Sequence, residues 1–267
     1  MGRNTAKLPW RRLGKKFLVR LAEYTVPYLY FAYFAFVWAT SKITDLTSPL
    51  DEALRNPPHR FVAAVWHQDV VCVPWAYRRF HGQTIASVGD AGDVISRLLG
   101  LCNFTVFRGG SSKRASRRKT ILEELTEHLL KVDRPAVGIT VDGSSGPAYR
   151  MKRGVIVLAM KIHAPIFVVR IWTKRRILLP SWDRTMLPLP FNQIVILAEG
   201  PYQLPDHMDQ EEVFKQFHGF VENQLLAATY KCFSMLDKAV DKRLMANFPE
   251  DWKPPSQAGD PKPGGRE

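Results

Sequence analysis

The sequence predicts an α/β domain with a mainly parallel central sheet flanked by helices, preceded by an N-terminal amphipathic or hydrophobic membrane helix. Three observations predict it. Short runs rich in Val, Ile and aromatic residues alternate with longer segments whose apolar residues recur at helical spacing. The strand-like runs are continuously apolar, as strands buried on both faces of a parallel sheet must be. The chain opens on a basic segment followed by an apolar one. With 267 residues, 46% of them hydrophobic, it has ample material for a sizeable core. The net charge of +13 means that its field attracts something acidic: nucleic acid, an anionic bilayer or a phosphorylated substrate. Cys72, Cys102 and Cys232 are odd in number and lack metal-type spacing, which fits reduced thiols.

From the N-terminus, Arg3, Lys7, Arg11, Arg12, Lys15, Lys16 and Arg20 occur with no acid among them, and Tyr24 to Thr40 then carries eight aromatic residues. That apolar run falls short of the ~20 residues of a spanning helix. Tyr and Trp favour the headgroup zone, and basic flanks are drawn to anionic lipid on the cytoplasmic side. Residues 1–45 therefore read as a membrane-anchoring segment lying in or dipping into the cytoplasmic leaflet of the inner membrane, in preference to a true span. Residues 46–247 read as the α/β domain, and 248–267, rich in Pro, Gly and charge, as a disordered tail.

Within the domain, Phe61 to Trp66 is six apolar residues after the Pro57-Pro58 breaker, a buried strand ending on His67. Gln68 to Phe80 reads as a helix kinked at Pro74, Thr84 to Ser87 as a strand, Val94 to Leu101 as a helix and Phe104 to Phe107 as a strand. The long helix Lys113 to Val132 sets Ile121, Leu122, Leu125 and Leu129 on one face. Ala136 to Val141 is a strand and Gly154 to Ile162 an apolar helix; Ile166 to Trp172 and Gln193 to Ala198 are further strands. Gln210 to Met245 is a closing helix with a core stripe of Val213, Phe214, Phe217, Val221, Leu225 and Ala228.

Four segments, at His67, Val88 to Asp93, Arg108 to Ser112 and Asp142 to Arg150, begin where a strand ends, and right-handed crossovers put all four on one sheet edge. Arg108, Gly109, Gly110, Ser111 and Ser112 offer a guanidinium, backbone N–H groups and hydroxyls at a helix start, which makes an anion cradle. Asp142, Gly143, Ser144, Ser145, Gly146 and Pro147 form a second tight loop with Arg150, Lys152 and Arg153 behind it. Pro147 stands where a nucleophile elbow needs its last glycine.

These motifs, in this order and with Ser181-Trp182-Asp183-Arg184 and Pro188-Leu189-Pro190-Phe191 after them, resemble the lysophospholipid acyltransferase superfamily, and more closely its bacterial DUF374 branch, related to glycerolipid and lipid A acyltransferases. The resemblance spans roughly residues 60 to 203. It implies membrane association and acyl transfer from an acyl-CoA or acyl-carrier-protein thioester to a lipid hydroxyl, with no resident cofactor or metal. The superfamily's His-x-x-x-x-Asp has Cys72 at the aspartate position here, so the acid partner of His67 must come from elsewhere. Geometry favours the next strand's loop, Asp93 ahead of Asp90, over Asp69, which ~100° per residue turns away from His67. On this reading His67 is the general base and a neighbouring loop's backbone N–H groups hold the oxyanion. Arg108, with Arg150 or Lys152, grips a phosphate. Trp182 and Asp183 shape the acyl or acceptor pocket, Asp183 being equally readable as a structural turn acid.

Three rivals remain at this point. A nucleic-acid binder accounts for the charge but leaves the aromatic run without a purpose, and no recognised signature accompanies it. A metal hydrolase on His67, Asp69, Asp90 and Asp142 matches no standard spacing. A catalytically inactive lipid-binding relative is the third, suggested by Cys72.

Overall fold

A computed structural model describes residues 9–109, 115–237 and 245–254, and the side chains within them other than those of 9–19, 90 and 115–119. The described chain runs α1 (Pro9–Ala39), β1 (Lys42–Leu46), α2 (Ser48–Arg55), β2 (Phe61–Val65), α3 (Val73–Ala76), β3 (Gln83–Ala86), α4 (Asp90–Leu101), β4 (Thr105–Arg108), α5 (Ala115–Leu129), β5 (Ala136–Thr140), α6 (Gly154–Ile162), β6 (Ile166–Thr173), β7 (Arg176–Leu178), β8 (Met186–Pro188), β9 (Gln193–Tyr202) and α7 (Glu211–Leu236). Seven strands form one sheet in the order β1-β9-β6-β2-β5-β3-β4, and β7 and β8 form a separate hairpin. Strands β6, β2, β5, β3 and β4 are parallel, while β9 turns antiparallel to β6 and takes β1 alongside it in parallel.

The centre of the sheet holds the most apolar runs. Every residue of β2 (FVAAV) and of β6 (IFVVRIWT) is buried, because helices cover both faces of a strand flanked by strands. α7 lays Phe214, Phe217, Val221, Leu225, Ala228 and Phe233 against this sheet, the stripe read from the sequence extended by one turn and more. α6 has the bounds that its apolar run gave.

The sequence reading needs correction at three places. The described part of the 1–45 segment does not stand apart from the domain. Phe34 and Val37 of α1 are core residues, the Tyr30 hydroxyl donates to the Val71 carbonyl (2.8 Å) and accepts from Trp75 N (3.2 Å), and Tyr33 donates to the Pro188 carbonyl (2.6 Å). A boundary at 45 also cuts β1, which pairs with β9 from Lys42 to Leu46. α1 serves two purposes, one face filling the core and the other (Tyr24, Tyr28, Leu29, Phe36) facing outward. Among the described residues no helix is long and apolar enough to cross a membrane.

Secondly, Gln68 to Phe80 is not one kinked helix. It is three short turns, His67–Asp69, α3 and Arg78–Phe80, because Pro74 lacks the N–H that a continuous helix needs in its interior. Thirdly, the tail is packed at its start. Phe248 is buried against Tyr149 and Phe233, and Trp252 Nε1 donates to Asn223 Oδ1 (2.8 Å). Residues 255–267 lie outside the described residues.

Candidate active site

β2 delivers His67 to the carboxyl edge of the parallel strands. Trp66 before it is fully buried, its Nε1 donating to Thr229 Oγ1 on α7 (3.0 Å), and this fixes the residue from which the next turn starts. His67 N then donates to Asp142 Oδ1 (2.8 Å) at the end of β5, the parallel neighbour of β2. Two adjacent strand ends are thereby tied together.

The imidazole is held by a residue far along the chain. His67 Nδ1 lies 2.6 Å from Asp183 Oδ2, with the carboxylate almost fully buried and the imidazole partly open to solvent. Asp183 also accepts from Ser181 Oγ (2.5 Å), Thr185 N (3.1 Å) and Thr185 Oγ1 (2.8 and 2.9 Å). Burial raises its carboxyl, but the hydrogen bonds from Ser181, His67 and Thr185 outweigh it and hold the group below its ordinary value. Asp183 is therefore an acceptor, which makes His67 Nδ1 the donor and leaves Nε2 as the basic nitrogen. Trp182 stands 5.2 Å from the imidazole, centroid to centroid. The indole presses on Gly146 so closely that a Cβ there would lie 2.6 Å from the ring, and Gly146 has φ +70°. The two conspicuous loops, residues 142–147 and 181–184, thus converge on His67 from different strands.

Asp183 supersedes Asp93 and Asp90 as the acid partner. Asp93 Oδ1 is 2.7 Å from Arg108 NH2, and the side chain of Asp90 lies outside the described residues. The same pair alters the reading of Arg108. Its guanidinium donates to Asp93, to Ser96 Oγ (2.6 Å) and to the Gly89 carbonyl (3.4 Å), so within the chain its charge is met at the start of α4. Gly109 follows with φ +149°, where a Cβ would strike Ile121 of α5; Gly110, Ser111 and Ser112 lie outside the described residues. Arg150 is also displaced from the site, since it lines a separate open depression with Glu222, Asp251 and Trp252. Gly143 and Ser144 border the cavity beside His67, and Pro147 is exposed beyond Gly146.

Asp69 turns away from His67, as its angular position required. It forms a fully buried ion pair with Arg170 of β6 (2.7 Å), supported by Ile171 N (3.1 Å). Gln68 Oε1 accepts from Arg170 NH2 (3.0 Å) and from the Tyr149 hydroxyl (2.8 Å). This network lies directly beneath the histidine's turn. Burial pushes the Asp69 carboxyl up to about 6 against the opposing pull of Arg170. Cys72, at the position where the superfamily carries aspartate, is buried, and burial raises its thiol well above the ordinary value. Its Sγ faces the Met186 carbonyl (3.8 Å), so it does not take the acid's role beside His67.

In front of His67 is a cavity of about 240 Å³, walled mainly by apolar side chains such as Val73, Ile85, Ile95, Leu99 and Phe104, with Ser87 and Ser144 among its few hydroxyls. A narrower apolar cleft shares the Val65, Val73 and Phe104 walls and continues toward Leu50 and Phe80. No described serine hydroxyl bonds to His67, and among the described residues no group of three His, Cys, Asp or Glu could hold a metal ion.

Asp142, the clamp on His67 N, gives the site a pH signature. Burial raises its carboxyl from 3.8 to about 6, opposed by the hydrogen bond from His67 N. A carboxyl that binds its proton more tightly folded than unfolded contributes stability that is fully present below the unfolded pKa and is lost as pH rises through the folded one. Asp142→Asn keeps the acceptor and removes the titration. The difference in unfolding free energy between wild type and variant should therefore shift by roughly 3 kcal/mol against the wild type between pH ~4 and ~6, as followed by urea denaturation.

The molecule is thus an α/β protein with a histidine–carboxylate pair at the carboxyl edge of its parallel strands. No family model matches the chain. It is 24% identical over 162 residues to Uncharacterized protein RP090 of Rickettsia prowazekii (strain Madrid E), a stretch covering 58% of this chain and 71% of that one. Among solved structures it is similar to the 1-acyl-sn-glycerophosphate (LPA) acyltransferase PlsC from Thermotoga maritima, with 16% identity, 81% of this chain and 82% of that chain covered, and a TM-score of 0.45, a likeness too slight to carry an argument about chemistry.

Proposed function

We propose that the protein is a membrane-associated acyltransferase that moves a fatty acyl chain from an acyl-CoA or acyl-carrier-protein thioester to a hydroxyl of a lysophospholipid or related lipid. The observation that carries this reading is the 2.6 Å contact of His67 Nδ1 with Asp183 at the mouth of an apolar cavity. A histidine so oriented presents Nε2 as a base, and without a serine of its own on that nitrogen among the described residues, the hydroxyl it deprotonates belongs to a substrate. The motifs at 108–112, 142–147 and 181–191 lend the same reading their resemblance to the lysophospholipid acyltransferase superfamily.

In this mechanism the acceptor O–H proton passes to His67 Nε2 as the oxygen attacks the thioester carbonyl carbon. Asp183 stabilises the imidazolium that forms. The tetrahedral intermediate collapses, the C–S bond breaks, and the departing sulfur takes the proton from Nε2, leaving an ester and a free thiol. The apolar cavity and the cleft beside it would receive the acyl chain.

Membrane contact is assigned in this proposal to the outward face of α1, where Tyr24, Tyr28, Leu29 and Phe36 are exposed and Phe191 packs edge-on against Phe36 (5.9 Å). Because Tyr30, Phe34 and Val37 are built into the core, removing α1 would unfold the domain, and point charges are the cleaner probe. Tyr28→Glu combined with Leu29→Glu is expected to lower binding to vesicles containing anionic phospholipid by at least tenfold in a flotation assay, with an unchanged melting temperature. The proposed activity as a whole is tested by lipid mass spectrometry of cells with and without the gene. A missing acyl chain in one lipid class supports it, and an unaltered set of acylated lipids argues for the binding-only relative.

A further inference from the structure

We propose that Gln68 is a positioning residue: its side-chain amide ties the tip of the β7–β8 hairpin to the turn that carries His67, and so holds Asp183 at bonding distance from the imidazole. The inference rests on the acyltransferase reading and assigns what keeps its histidine–carboxylate pair together. The pair needs such a tie because its halves belong to separate sheets. His67 follows β2 of the seven-stranded sheet, whereas Asp183 lies between β7 and β8, which pair with each other. Several hydrogen bonds of the tip are local. Leu179 N donates to the Thr185 carbonyl (2.9 Å), Arg184 N to the Ser181 carbonyl (3.1 Å), and the hydroxyls of Ser181 and Thr185 to Asp183 itself. They shape the turn and aim its carboxylate, but they do not bind it to the sheet.

Gln68 supplies a bond across the gap. Its side chain is buried, and its Nε2 donates to the Arg184 carbonyl (3.3 Å), one residue beyond Asp183. Arg184 has φ +50°, a left-handed conformation that a residue with a Cβ seldom adopts, so the tip needs support from outside at this position. The far side of the amide fixes which way it points. Oε1 accepts from Arg170 NH2 (3.0 Å) and from the Tyr149 hydroxyl (2.8 Å). A guanidinium only donates, so the oxygen faces β6, and the NH₂ is left for the Arg184 carbonyl, which only accepts. Both anchors are rigid: β6 is the parallel neighbour of β2, and Tyr149 is buried edge-on against Trp66 (5.4 Å). One amide thus joins the His67 turn, β6, the segment after the 142–147 loop and the hairpin tip. No other group of this size serves all of them. An ionised carboxylate keeps the Arg170 and Tyr149 bonds but has no hydrogen for Arg184, and an apolar chain loses all three.

The test reads the pair itself before it reads turnover. In the full-length protein labelled with nitrogen-15 histidine, the His67 Nδ1–H proton resonance is identified by its absence in His67→Ala, and Asp183→Asn shows the spectrum of a broken pair. Gln68→Glu and Gln68→Met, compared at pH 8, are both expected to lose this resonance to exchange with water while calorimetry shows a folded protein. In acyl transfer both are expected to lose ~10²-fold in kcat with KM for donor and acceptor within about twofold, because a misplaced base slows the chemical step without weakening binding. Gln68→Glu keeps the size and two of the three bonds, whereas Gln68→Met adds no charge, so agreement between them assigns the effect to the Arg184 tie. Where Gln68→Glu does not fold, Gln68→Met decides alone. A resonance that is missing from the wild type, or that persists at its wild-type position in either folded variant, overturns the proposal and leaves acyl transfer intact. An unchanged kcat, or a loss that falls on KM, also overturns it. A wild type without acyl transfer removes the reaction instead, and the resonance alone then decides whether Gln68 positions the pair.

Discussion

Asp183→Asn is expected to reduce acyl transfer by ~10³–10⁴-fold while leaving the fold intact, by the reasoning that applies to the aspartate of a serine-protease triad. An asparagine can occupy the same volume and still accept from Thr185, but it can present its NH₂ to His67 Nδ1. The imidazole then keeps its proton on Nε2, the nitrogen that must accept one, and the negative charge that would steady the imidazolium is gone. The loss should fall on kcat, because Asp183 is buried behind His67 and touches no substrate path. Asp93→Asn and Asp90→Asn, measured beside it, should each remain within a few-fold of wild type. Asp93 serves Arg108 and α4, and its removal should show first as a small loss of stability.

The largest expected effect on stability comes from the pair beneath the site. Asp69→Leu strands the guanidinium of Arg170 in an interior where neither side chain reaches solvent, and breaking a buried pair by removing one partner costs about 3–5 kcal/mol. In a domain of this size that is on the order of 10 °C in melting temperature by calorimetry. The double replacement Asp69→Leu/Arg170→Met should recover much of the loss, since it removes both charges and with them Asp69 Oδ1 and Arg170 Nε, two buried polar atoms that have no hydrogen-bond partner. Activity should not recover in parallel. Gln68 draws its orientation from Arg170 and Tyr149, and the turn that carries His67 starts one residue before it.

The parts of this architecture that rest on local pattern were legible in the sequence. Six apolar residues ending on a histidine identify β2 and place His67 at its end, and the 154–162 helix has the bounds its apolar run implies. Strand ends in a parallel sheet share an edge, so the convergence of His67 with the 142–147 loop followed from the order of elements. Asp183 was visible as part of a motif but not as the partner of His67, because 116 residues separate the two and no periodicity relates them. Asp93 was chosen on the expectation that β3, next in sequence, lies beside β2, but β5 stands between the two and Arg108 pairs with Asp93. Arg170 did leave a signal: one arginine inside Ile166–Thr173, a strand otherwise apolar enough to be buried throughout, requires a buried acid. β1 (KITDL) gave none, being a short and half-polar edge strand whose place depends on pairing with β9.

In the proposed mechanism His67 Nε2, set by Asp183, deprotonates a lipid hydroxyl for attack on a thioester. This step is tested most directly by transfer of a carbon-13-labelled acyl chain from acyl-CoA or acyl-carrier protein to a panel of lysolipid acceptors, with wild type and His67→Ala compared under single-turnover conditions. Labelled ester is expected in the wild type at a rate ~10²–10⁴-fold above the variant, with equal binding of donor by both. Labelled ester formed equally fast by the two proteins would contradict it.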